Sequence, residues 1–342
     1  MTVNEKILEA QIKHSIYLER YKSGVVRKII AELNRSHDDL VKRLAGRLAL
    51  IEARGYDLGP ATTARLQRLL EEVEAKTAAA YNVVRDTMTD EGQAFAVYEA
   101  DHQVKLVERS GARVNMVLPS DTQLKAIVTS TPFQGKILAD WTAGLAAAEA
   151  NRVNVAVKMG ITQNETLDQI VRRVRGTKAA GYSDGVLNIS LRDTEAVVRT
   201  AISDVASGAK RELSKANADL ATAWKHHSTL DSHTSPTCQA LDGKVYRKYE
   251  DIRWPPLHWQ CRSIISIFFE GDEPGNRASE FGPIPSDTTY GTFLRKQSQA
   301  FQEDVLGVER AKLFRSSTAD ISKFVDNKGK YYTLAQLKAK NL

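Results

Sequence analysis

The sequence predicts a mainly α protein with a small β module, an α+β architecture. An N-terminal helical bundle is followed by a Cys/His-stapled small sheet and a C-terminal helical tail. Three observations carry this. Over the first 160 residues apolar side chains recur at helical spacing, as in Leu8, Ile12 and Ile16 and again in Leu40, Leu44 and Leu48. Past residue 224 the period shifts toward two, and RSIISIFF at 262–269 is rich in β-branched and aromatic residues. Both cysteines of the 342-residue chain, Cys238 and Cys261, fall in that second region, with His258 between them.

Taken in order, the helical elements have recognisable ends. Ser36 is placed to cap the helix of Leu40, Gly59-Pro60 to restart one through Leu66, Leu69, Leu70 and Val73, and Thr89 to cap another holding Phe95 and Val97. Ser120 with Gln123, and Thr162 with Glu165 ahead of Leu167, Ile170 and Val174, form capping-box patterns. The alanine-rich stretch 139–150 suits close helix packing. GTKAAGYSDGVLNIS, 176–190, has three glycines and no helical period, and marks a loop and domain boundary. Asp193 or Thr194 then opens a long helix through Val197, Val198, Ile202 and Val205 to about Ala223. Arg199 lies beside that stripe, where a structural ion pair is the expected role. Residues 224–231 and 262–269 read as strands, with turns at Ser235-Pro236 and Asp242-Gly243 and a rigid Pro255-Pro256 pair between them. GDEPGNRASEFGPIPS, from Gly271, reads as an irregular arm, and Phe293–Phe314 as a helix. The expected domains are 1–160, 161–270 and 271–342.

Composition narrows the function classes. Hydrophobic residues make up 42% and charged residues 26%, ordinary for a folded protein. Neither a membrane span nor a signal peptide is expected, so the chain reads as soluble and cytoplasmic. Two cysteines make no disulfide scaffold. A net charge of +6 favours contact with polyanions without requiring it. Arg295, Lys296, Arg310, Lys312 and Arg315 gather near the terminal helix, either as a solvated face or as contacts to double-stranded DNA.

The chemistry concentrates on Cys238, His258 and Cys261. Zinc takes about four ligands in tetrahedral geometry, and these supply three, the last two as H-x-x-C. His233 is the candidate fourth ligand by type, with Asp231 as the alternative and His226 or His227 further off. Two other readings stay open, a pair of free buried thiols and a disulfide. A hydrolase or toxin-like enzyme would use Cys238 as nucleophile, His258 as base and Asp231 or Asp242 as orienter. That reading lacks the helix N-terminus or electropositive pocket that lowers a catalytic thiol's pKa. No P-loop, G-x-G-x-x-G or G-x-S-x-G occurs.

These residues resemble the minor head proteins of tailed bacteriophages, the Mu F-like or head-morphogenesis family. The resemblance rests on Asp231, Thr234, Ser235 and Cys238, then Asp242-Gly243, then Pro255, Pro256, His258, Cys261 and Arg262. An upstream Arg199-Thr200 pair fits it, as do the tail 293–314 and GKYYTLAQL, so it spans roughly 150–342. The family often has arginine where this chain has His233. The resemblance implies a non-enzymatic virion component of the head, assembled in the host cytoplasm. Its implied partners are the portal protein, capsid or scaffold proteins and non-specific double-stranded DNA, with no membrane. The Cys/His group is then a structural zinc staple.

Overall fold

The computed structural model describes residues 2–53, 60–220, 223–269, 275–340 and 342. Among these lie eleven α-helices and five short strands. The expected turn at Gly59 and the start of the arm at Gly271 lie outside the described residues. The chain forms two compact units that interleave along the sequence. Unit 1 comprises Met1–Glu19, Phe95–Leu124 and Ser203–Leu342, and unit 2 comprises Arg20–Ala94 and Lys125–Ile202.

Two long helices replace the shorter ones expected at the N-terminus. Helix α1 runs from Val3 to Glu52 and α2 from Pro60 to Ser110. Ser36 caps nothing, because the buried positions Leu33, His37, Leu40 and Leu44 carry the helical step past it. His37, 7% exposed, occupies a place where an apolar residue would have shown the continuity. Thr89 is likewise interior, its hydroxyl donating to the Arg85 carbonyl at 2.9 Å. Ile16 is 53% exposed, and the buried stripe of α1 passes instead through Ile7, Leu8, Gln11, His14 and Leu18.

Unit 2 buries one apolar core. Leu40, Leu44 and Leu48 of α1 meet Leu69, Leu70 and Val73 of α2, Val153 and Val157 of α4 (Leu138–Thr162), and Ile170 and Val174 of α5 (Leu167–Arg175). Each fully buried leucine or valine of this kind contributes about 1.5–3 kcal/mol relative to exposure. A polar set is also buried here. Tyr81 donates to Glu149 at 3.1 Å and meets the Thr194 hydroxyl at 3.0 Å, and His37 Nε2 lies 3.1 Å from Glu149. Helix α5 is capped by a box of Thr166 and Gln169 rather than Thr162 and Glu165. Thr162 is the last residue of α4, and Glu165 instead pairs with Arg173.

The loop after Gly176 is shorter than expected. Asp184 closes it, accepting from the Thr177 N–H at 2.7 Å and hydroxyl at 2.9 Å. Helix α6 therefore begins at Val186 and ends at Ala216, ahead of the strand that starts at Ala223. The buried Leu187, Ser190 and Thr194 extend its stripe N-terminally, and the two polar members obscure that in the sequence. The Ser120–Gln123 box does form: Gln123 N–H donates to Ser120 Oγ at 3.3 Å, opening α3 (Asp121–Ser130).

In unit 1 a three-stranded antiparallel sheet has the order β2 (Val245–Tyr246), β1 (Ala223–His227), β3 (Ile264–Phe268). The register pairs Trp224 with Tyr246 and Ile267, and His226 with Ile265, which puts these side chains on one face. Ile252 and Trp254 pack over that face. The proline-rich arm contains a hairpin, β4 (Asn276–Ser279) with β5 (Gly282–Pro285). Three helices occupy the span expected as one. Helices α8 (Tyr290–Arg295) and α9 (Gln299–Leu306) part where Ser298 caps α9, and α10 (Val308–Ser316) starts after Gly307 at φ 75°. With α11 (Leu334–Ala339) they enclose Tyr290, Phe293, Leu306, Phe314 and Phe324 around Leu230.

Candidate metal centre

Cys238 belongs to the first turn of a short helix, α7 (Pro236–Leu241), rather than to an open turn. Ser235 caps it, accepting from the Cys238 N–H at 3.4 Å, with Pro236 at the first helical position. Helix α7 ends at Asp242, and Gly243 at φ 80° makes the turn into β2. The second arm of the site follows a cis Pro255-Pro256 peptide and carries His258 and Cys261.

The two arms converge. The Cys238 sulfur lies 3.2 Å from His258 Nε2 and 3.7 Å from the Cys261 sulfur. One ligand atom from each of the three residues falls within 4.8 Å of the other two. His258 Nδ1 donates to the Trp259 carbonyl at 2.9 Å, which turns Nε2 toward the sulfurs. Both cysteines are 2% exposed and unbridged. The Cys238 thiol hydrogen bond and His258 draw the Cys261 pKa down to about 3, while the Cys261 sulfur and burial push Cys238 up. His258 is raised, chiefly by the Cys261 sulfur, against the effect of burial. A divalent metal binding here would displace the protons that these groups share.

Other expected site residues are engaged elsewhere. Asp231 receives both guanidinium nitrogens of Arg262, at 2.5 and 3.0 Å, so its carboxylate is held by an ion pair. His233 is exposed, its N–H donating to Asp231 Oδ1 at 3.1 Å, and it is not in the grouped set. Arg199 forms an ion pair with Glu195 at 2.8 Å within unit 2. In the tail, Arg295 donates to the Phe314 carbonyl at 2.8 Å and stacks 4.1 Å from its ring, and Arg310 donates to the Tyr332 carbonyl at 3.0 Å. Arg315 reaches Gln302 and Glu303, whereas Lys296 and Lys312 are exposed.

One buried residue near the site carried no sequence signal, and another was named from the sequence only as a more distant candidate ligand. Arg277, from the hairpin, is buried against Asp242 at 2.9 Å and also donates to the Ser228 and Thr288 carbonyls. His226 is completely buried, and neither ring nitrogen has a hydrogen-bond partner. Burial holds its pKa down at about 4, so the ring is neutral. Leaving such a group unsatisfied costs about 1–3 kcal/mol.

The donor set fits zinc: two buried sulfurs and a partly exposed imidazole nitrogen lie close together and would fill three of four tetrahedral positions. As a nucleophile Cys238 is poorly placed despite its helix position, since its sulfur is buried and its thiol stays protonated. No helix is long and apolar enough to cross a membrane among the described residues. Residues 150–266 match the family described as phage Mu protein F like protein. The matched segment includes Arg199, Asp231, both cysteines, His258 and Arg262, while the tail at 293–314 lies beyond it. No curated protein and no solved structure matches the chain.

Proposed function

We propose, starting from a phage Mu F-like head protein segment at residues 150–266, that this chain is a minor head protein of a tailed bacteriophage. It joins the head at the portal vertex, contacts the portal protein and neighbouring capsid or scaffold proteins, and serves genome packaging or delivery without catalysing a reaction. The supporting observation is the burial of the cluster inside the matched segment. Cys238 and Cys261 tie α7 to the turn before β3 and expose almost no sulfur, the arrangement of a staple rather than a reactor.

In this reading Cys238, His258 and Cys261 hold zinc, which fixes α7 and the His258–Cys261 turn against the three-stranded sheet. Ser235, through the α7 cap, and His258's bond to the Trp259 carbonyl orient the ligands. Co-purification of the full chain with the portal protein from the same source tests the assembly role. Stoichiometric co-assembly supports it; failure to associate, together with turnover of an ester or peptide substrate that Cys238→Ser abolishes, favours the hydrolase instead.

A further inference from the structure

We propose that His226 is the fourth ligand of the site, closing Cys238, His258 and Cys261 into a tetrahedral centre of two sulfurs and two nitrogens. The inference deepens the zinc-staple reading and rests on it.

His226 is the residue whose surroundings make sense with a metal present. Its ring is completely buried, and both nitrogens lack a partner. The neighbouring His227 points to the other sheet face, where its Nε2 meets Ser266 Oγ at 2.8 Å. Along His226's own face the path leads to the cluster. Ser228 and Ser263, the next residues on that face, touch at 3.2 Å, and the Ser228 hydroxyl donates to the Cys238 carbonyl at 2.8 Å. From above, the segment that packs Ile252 and Trp254 on this face continues to His258 and Cys261.

The backbone of His226 is fixed while its ring is not hydrogen-bonded. Its N–H donates to the Lys244 carbonyl and its carbonyl accepts from Gly243, each at 2.9 Å. The ring stands outside the group that shares the 4.8 Å limit. Zinc bonds of about 2.0–2.3 Å place tetrahedral ligand atoms about 3.3–3.8 Å apart. Metal binding would therefore have to bring the His226 ring and the His258–Cys261 turn together. His233 offers no equivalent, being exposed on the turn that Asp231 organises.

The test uses the purified full chain, zinc content by elemental analysis, zinc affinity by chelator competition, and the visible spectrum of the Co(II)-loaded protein. The wild type should hold one zinc and show the intense d–d absorption of four-coordinate Co(II). His226→Phe, which fills the apolar volume, should weaken zinc by more than about 100-fold, beyond the 10–100-fold expected of an outer-shell partner, and lose the tetrahedral spectrum. His226→Cys should retain zinc and raise the sulfur-to-cobalt charge-transfer band from two thiolates toward three. His233→Ala should match the wild type. Wild-type affinity and spectrum in His226→Phe, or loss on His233→Ala instead, overturns the assignment while leaving the staple intact. A wild type that takes up neither metal overturns both. Should His226→Phe fail to fold, His226→Cys decides: an unchanged charge-transfer band refutes the fourth-ligand role.

Discussion

Arg277 and Asp242 form a buried ion pair in which the arginine reaches both carboxylate oxygens, at 2.9 and 3.1 Å, with side chains 4% and 0% exposed. The remaining valences of Asp242 are filled by the backbone N–H groups of Ser228 and Tyr290, each at 2.7 Å. One carboxylate thereby joins the end of α7, the chain after β1, the hairpin and the start of α8. Removing a single partner leaves the other charge buried and unpaired. Arg277→Ala is expected to destabilise unit 1 by about 3–5 kcal/mol. Arg277→Met combined with Asp242→Leu should lose less than the sum of the single changes. Urea unfolding of Arg277→Ala, Arg277→Met, Asp242→Leu and the double variant provides the measurement.

Asp204, on α6, gives a pH dependence of defined sign. Burial raises its carboxyl from 3.8 to about 6, against the opposing charge of Arg211. A folded pKa above the unfolded one means that the folded state binds the proton more tightly between those values. The stabilisation is full below pH 3.8 and is lost as pH rises through about 6. Asp204→Asn should therefore be more stable than wild type at pH 7.5, by an amount on the order of 3 kcal/mol, and gain little at pH 4. Thermal unfolding at the two pH values checks it; an equal gain at both would show that the carboxyl is not perturbed.

The basic residues of the tail should separate into two behaviours. Arg295 donates to main-chain carbonyls and stacks on Phe314, so Arg295→Ala is expected to cost roughly 1–3 kcal/mol. Lys312 is exposed and pairs only with the exposed Glu309, so Lys312→Ala should change stability by less than about 0.5 kcal/mol. Salt-dependent binding to duplex DNA completes the comparison. Any DNA contact should weaken on Lys296→Ala and Lys312→Ala, whose ammonium groups face water, and binding absent even at low ionic strength would remove DNA as a partner of this face.

Gly185 sits where the 176–185 loop folds back on itself. A Cβ there would run into the backbone of Arg175 and Gly176. Gly185→Ala should destabilise unit 2 by about 1–3 kcal/mol, seen as lost amide-exchange protection in α5 and the start of α6 while the sheet of unit 1 is unaffected.

Local chemistry was legible in the sequence wherever one short segment decided the outcome. The Ser120–Gln123 box, the Asp242-Gly243 turn and the two longer strands all depend on neighbours within a few residues. Cys238, His258 and Cys261 could be grouped because sulfur and imidazole in such company have few other uses. What stayed hidden depended on burial of polar residues. His37 and Thr194 sit in helical stripes where leucine would have advertised continuity, so α1 and α6 were cut short. Arg277 meets Asp242 across thirty-five positions, with no spacing to announce it. His226 lies on a strand whose alternation shows which face it shares, but complete burial of its two bare nitrogens is a tertiary fact.

The interleaving of the units has a consequence for how the protein is made. Residues 20–94 and 125–202 are all synthesised once position 202 has left the ribosome, so unit 2 can close while the remainder is still being added. The first turns of α1 have a different fate. Gln11 bonds Gln103 and Lys210, and His14 meets Glu99, so this buried polar ladder lacks a member until α6 emerges. At roughly 5–20 residues per second, this ladder stays incomplete for many seconds. The first turns of α1 are thus completed only by a helix made some two hundred residues later, and a ribosome that stalls before α6 emerges leaves that helix end open and aggregation-prone.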